Sequence, residues 1–217
     1  MGNIVLLDDL TINKIAAGEV IERPANVVKE LVENSIDAGA DNIVIEIKNG
    51  GKTFIKITDN GKGIPKDEIR TAFMRHATSK IDSFEDLENV LTLGFRGEAL
   101  SSIASVAQVE MLTRTENDSM GTRIVINGGV VDREEECAAN VGTVFYVKNI
   151  FFNTPARRKF LKKPATEGSY ISEIVNRIAL GHPNIAIKYI NNGNIVLQTI
   201  GDGNVKNSLF YIYGKDI

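Results

Sequence analysis

Apolar positions first recur at helical spacing in residues 24–37. Stepping 100° per residue gathers Val27, Val28, Leu31, Val32 and Ile36 on one arc and sets Lys29, Glu33 and Asp37 opposite. Pro24 suits an early helical position, Asn26 a cap and Gly39 the stop. Glu30 and Asn34 fall on the seam between the faces, one turn apart, neither core nor freely solvated. Strict alternation follows: Ile43, Ile45 and Ile47 against Val44, Glu46 and Lys48, then a Gly-Gly turn and a second strand that ends at Asp59. Residues 66–77, 82–93 and 97–107 read as helices, the middle one with Ser83 and Asp86 in capping-box-like spacing. From residue 107 the period changes to two in "QVEMLTR", "GTRIVING" and "GTVFYVKN", and later in "IAIKYI" and "NIVLQT". One more helix spans 170–180, with Ile171, Ile174, Val175 and Ile178 at helical spacing. These elements predict an α/β fold, a two-layer sandwich of helices on one face of a mixed, mostly antiparallel sheet. Residues 202–217 fit neither layer.

Composition keeps that picture and narrows the chemistry. With 217 residues, 43% hydrophobic and 24% charged, the chain has the profile of a soluble globular protein. No apolar run approaches a membrane span and no signal-peptide pattern opens it, which places it inside the cell, away from membranes. The lone Cys137 forbids an internal disulfide, and with His76 and His182 it is too little for a zinc cage. A metal would therefore be a hard ion on oxygen ligands and substrate phosphates. Net charge is −3, yet residues 155–190 carry seven Lys and Arg against two Glu. That local basic surface suits a salt-sensitive phosphate contact, or is simply a solvated charged face.

Three glycine-bearing segments invite a ligand. In "TDNGKGIP", Gly61 and Gly63 let the backbone turn and come close to a flat group beside Asp59, although such turns are common on their own. "TLGFRGEALSSI" sets Gly94 and Gly97 before a helix, where free N–H groups and the positive dipole end suit phosphate, or where a loop merely ends in a cap. "RHATSK" supplies Thr78, Ser79 and Lys80 ahead of a helix, with Ser79 as an N-cap the local alternative. "NGGKTF" imitates the end of a P-loop, but position 46 is Glu where that motif needs Gly, and no dinucleotide fingerprint occurs.

In this order the segments resemble the GHKL ATPases. The blocks "IAAGEVIERPANVVKELVENSIDAGA", "RHATSKI", "LGFRGEALSSI" and "NTPARRKFL" resemble the MutL mismatch-repair family among them, from about residue 4 to the end. The resemblance implies an ATP- and Mg²⁺-using ATPase of the GHKL (Bergerat) fold. It assigns Glu30 as the base that polarises the attacking water and Asn34 as a Mg²⁺ ligand. Asp59 becomes the acceptor of the adenine amino group, with Gly61 and Gly63 against base and ribose and Thr143 behind the adenine. Gly94, Phe95, Arg96 and Gly97 form a lid over the triphosphate, and Thr78, Ser79 and Lys80 its second edge.

The same resemblance divides the chain into a dimerisation strap (1–20), an ATPase domain (21–203) and the truncated start of a transducer domain (204–217). It implies an ATP-bound homodimer, a MutS-type mismatch sensor, DNA and a downstream nuclease or helicase as partners. The setting it implies is the cytoplasm and nucleoid of a bacterium, or the nucleus of a eukaryote. In the family a transducer lysine completes the ATP site, so this span is expected to bind ATP better than it hydrolyses it. Arg157, Arg158, Lys162 and Lys163 gain weight as a DNA-facing edge. A nucleic-acid-binding module with a vestigial nucleotide pocket is the competing reading.

Overall fold

The computed structural model describes residues 8–75, 77 and 97–214. Its order is α1 (Asp9–Val20), α2 (Pro24–Asp37), β1 (Asn42–Lys48), β2 (Phe54–Asp59), α3 (Ile69–Ala72), α4 (Ala99–Val106), β3 (Gln108–Arg114), β4 (Gly121–Asn127), β5 (Val130–Cys137), β6 (Gly142–Lys148), α5 (Pro155–Phe160), α6 (Pro164–Gly181), β7 (Ala186–Asn191), β8 (Asn194–Gln198) and α7 (Val205–Tyr213). The eight strands form one sheet in the order β5-β4-β3-β6-β2-β1-β7-β8. Among the described residues, only β1 and β7 pair in parallel. The mixed, mostly antiparallel sheet expected from the alternation is therefore present.

Alternation decides which face takes the helices. Ile43, Ile45, Ile47, Ile55, Ile57, Val109, Met111, Phe145, Val147, Ile187 and Tyr189 are buried on one face and join the apolar sides of α2, α4 and α6 in a single core. The intervening residues are partly exposed, among them Lys56, Tyr146 and Glu110, which lie side by side across β2, β6 and β3.

Several details differ from the sequence reading. Asn26 caps α2 from inside: its Oδ1 accepts from the backbone N–H of Arg23 at 3.0 Å and Glu22 at 3.2 Å, while Arg23 holds the cap position. The helix expected over 66–77 shrinks to Ile69–Ala72, because the Phe73 N–H folds back on the Arg70 and Thr71 carbonyls and ends it. The last long helix begins six residues before the expected Tyr170, since Pro164 opens its first turn. β5 went unread: it is an edge strand with little burial on either face and so shows no period of two. The helix expected over 82–93 lies outside the described residues. Residues 204–213, assigned to no layer, form the cap and body of α7, which packs on α6 and β8.

Candidate functional site

The inner end of β2 holds a buried carboxylate. Asp59 is 8% exposed. Its Oδ2 accepts from the Ser35 hydroxyl at 2.8 Å, and its Oδ1 from the backbone N–H of Gly61 at 3.0 Å and Thr143 at 3.2 Å. Burial raises the Asp59 pKa above its ordinary value, and the three donors only partly offset this. No cation pairs with it among the described residues. Register supplies one neighbour directly, because Asp59 stands opposite Thr143 in the β2–β6 pair. The Thr143 hydroxyl lies 3.1 Å from that of Thr113, which in turn accepts from the Ile64 N–H at 2.9 Å.

The glycines here are steric requirements. Gly63 has φ 72°, and a Cβ on it would meet the Arg114 carbonyl oxygen at 2.2 Å. A Cβ on Gly61 would sit 2.9 Å from Ala38, at the end of α2. Thus the loop after β2 is pressed between the end of α2 and the strand pair β3–β6.

Glu30 and Asn34 stand on α2 as expected, each partly buried on the helix rim. Lys29 Nζ lies 3.4 Å from Glu30 and 2.7 Å from Glu33. Partial burial opposes the Lys29 charge, but the two carboxylates outweigh it and hold the ammonium above its ordinary pKa. Glu33, placed on the solvent side by the helical projection, is in fact buried at 9% exposure. The cause is packing, since α2 is flanked by α6 and α4 as well as by the sheet, which leaves it a narrower wet face than one core contact would.

Gly97 comes to rest against Ala77, where a Cβ on Gly97 would lie 2.5 Å from the Ala77 carbonyl oxygen. Arg75 and Glu98 pair beside them at 3.4 Å. Residues 77 and 97 are therefore neighbours at the head of α4. The other expected phosphate-side residues, Thr78, Ser79, Lys80, Gly94, Phe95 and Arg96, lie outside the described residues.

The sequence reading missed Ser35 and Thr113. Both left a signal: Ser35 is a hydroxyl on the apolar arc of α2, and Thr113 ends the inward series Val109, Met111. In the basic block, Arg158, Lys162 and Lys163 are exposed. Arg157 is partly buried and turned inward: its Nη2 donates to the Ile15 carbonyl of α1 at 3.0 Å, and its Nη1 is buried. A shallow depression of about 490 Å³ lies elsewhere, between Lys66, Arg70, Asp118 and Glu134. Its charges are spent on each other or on the adjoining strand, as in the Arg70–Glu134 pair at 2.6 Å and the Lys66–Glu136 pair at 2.8 Å.

A helix bearing a rim carboxylate and amide, tied by the next residue to a buried strand-end carboxylate, defines a class, the GHKL-type nucleotide domains. Comparison with known proteins agrees. Residues 21–141 match the family described as histidine kinase-, DNA gyrase B- and HSP90-like ATPase. The DNA mismatch repair protein MutL of Agathobacter rectalis is 57% identical over 217 residues, and that of Caldanaerobacter subterraneus subsp. tengcongensis 52%. Among solved structures, the Aquifex aeolicus MutL ATPase domain complexed with ADP aligns with a TM-score of 0.72 at 33% identity, covering 89% of this chain and 70% of that one. The chain therefore belongs to the histidine kinase-, gyrase B- and HSP90-like ATPases, in their MutL branch. It spans about a third of the length of the curated relatives it matches. No helix among the described residues is long and apolar enough to cross a membrane.

Proposed function

We propose that this chain is the ATP-binding and ATP-hydrolysing region of a MutL-type DNA mismatch-repair protein. The observation that carries the reading is Asp59, a buried carboxylate fixed by three donors and matched to no cation. Such a group, at a loop whose glycines admit a flat ring, suits a neutral N–H donor, and the adenine amino group is one. Thr143 lies behind the base, and Gly61 and Gly63 let the backbone reach base and ribose.

Glu30, held partly out of water, serves as the general base that orients and deprotonates the attacking water. Asn34 offers a neutral amide oxygen one turn on. The donor chemistry fits Mg²⁺: a single uncharged protein ligand leaves the phosphates and water to complete an oxygen shell, whereas a carboxylate there would overcharge the triphosphate. When bound, Mg²⁺ would neutralise charge on the phosphates. Gly97, at the head of α4, opens the helix toward them. Thr78, Ser79, Lys80, Gly94, Phe95 and Arg96 complete this reading as the closing lid, and a transducer lysine from beyond this span as the last phosphate contact.

In the whole protein, ATP binding would order lid and strap, bring two copies together and couple a MutS-type mismatch sensor to a downstream nuclease or helicase in the bacterial cytoplasm. Arg158, Lys162 and Lys163 remain the DNA-facing edge. In the full-length protein, Glu30→Ala tests the chemistry: nucleotide affinity should hold within a few-fold while turnover falls at least about 100-fold, the scale of a lost general base. Unchanged turnover would remove Glu30 from the mechanism.

A further inference from the structure

Gly18 is an unexpected residue in the body of α1. It sits two residues from the helix end, has no left-handed backbone that would demand glycine, and glycine weakens a helix interior. The space explains it. A Cβ at position 18 would fall 1.6 Å from Arg157 Nη2 and 1.9 Å from its Cζ. The guanidinium of α5 thus occupies the room that a side chain at 18 would take. One turn back it is bonded to the Ile15 carbonyl at 3.0 Å.

The base of α5 is fastened to a second helix. Asn153 Nδ2 donates to the Ser105 carbonyl in the last turn of α4 at 2.8 Å. α1 itself packs along α4. Hence α5 bridges the two helices, with Asn153 on α4 and Arg157 on α1. Nη1 of Arg157 is buried with no acceptor among the described residues, so the contact depends on shape as much as on its single hydrogen bond.

We infer that Arg157 is a positioning residue: laid against Gly18, it latches α1 onto α4 and so fixes the helix whose head carries Gly97. The latch stands on geometry alone, and only its effect on turnover rests on the ATPase reading. Mobility of α1 then depends jointly on residues 18 and 157, which come from the separate blocks "IAAGEV" and "NTPARRKFL".

The experiment compares Gly18→Ala, Arg157→Ala and the double variant by backbone amide exchange of α1 and affinity for a labelled oligonucleotide in this chain, and by ATP turnover in the full-length protein. Gly18→Ala and Arg157→Ala should each speed exchange in α1 about tenfold or more, with β1 and β2 unchanged. The double variant should exchange no faster than Arg157→Ala, because the new methyl enters the room the guanidinium vacates. In both single variants kcat should drop several-fold with KM for ATP within twofold, since no residue assigned to ATP is altered. Independent effects in the double variant, or unchanged α1 exchange in Arg157→Ala, would overturn the latch. Unchanged exchange with lost oligonucleotide affinity would do so too, and would return Arg157 to the nucleic-acid edge. A full-length parent without turnover would defeat the ATPase reading, while the exchange cycle would still decide the latch.

Discussion

Burial at the end of β2 disfavours the charged form of Asp59. Its folded pKa lies above the unfolded value, so the folded state keeps the proton longer as pH rises. The stability this contributes in acid is lost as pH climbs through the folded pKa, above which the ionised group is a net cost. Asp59→Asn should therefore leave the ligand-free protein at least as stable at neutral pH and flatten its stability profile between acid and neutral, as thermal melts across that range would show. The amide can donate to Ser35, whose hydroxyl already has the Leu31 carbonyl 3.1 Å away. A marked fall in melting temperature at neutral pH would contradict the burial argument. Ser35→Ala removes a donor to the same carboxylate and should weaken nucleotide binding roughly tenfold, the scale of one hydrogen bond to a charged group. The positions of Glu30 and Asn34 on a helix seam and of Asp59 at a strand end could be read locally, but the roles proposed for them come from the family resemblance. Ser35 and Thr113 left only the faint signal of a small hydroxyl in an apolar series, and Arg157 left none, since nothing in a run of basic residues tells which one turns inward.

At the level of elements, the strands with one buried face could be read directly, and their order could not. β1 to β4 and β6 alternate cleanly, whereas β5 has no buried face and left no signal. α3 was overread because its helical pattern competes with a tight C-terminal turn. The loop after β2 is the element on which the site depends most. Gly63→Ala would force a left-handed residue and a clash with the Arg114 carbonyl. A cost of about 1–3 kcal/mol is expected, with loss of nucleotide binding. Urea unfolding of the variant measures the first and titration the second. A variant as stable as the parent would mean that the loop has room it does not show. At the other end of the chain, Asp8 caps α1 through the Thr11 N–H at 2.9 Å. Asp8→Ala should loosen that helix by about 1 kcal/mol, visible as faster amide exchange confined to its first turns.

Across the whole molecule, one sheet carries both halves of the candidate site: its inner face supports α2 with Glu30 and Asn34, and the end of β2 carries Asp59. Ser35 joins the two levels through its bond to Asp59. Sequence reading reached this architecture through the two-residue and 3.6-residue periods. It could not supply the closeness of Ala77 to Gly97 or the bridge of α5 between α1 and α4, which are contacts between distant segments. The central claim is that Asp59 reads a nucleotide base. Calorimetric titration with a non-hydrolysable ATP analogue and Mg²⁺, run on the parent and on Asp59→Ala, tests it most directly. Saturable binding by the parent that weakens at least about 100-fold in the variant is the predicted result, and equal affinity in the two would contradict the claim.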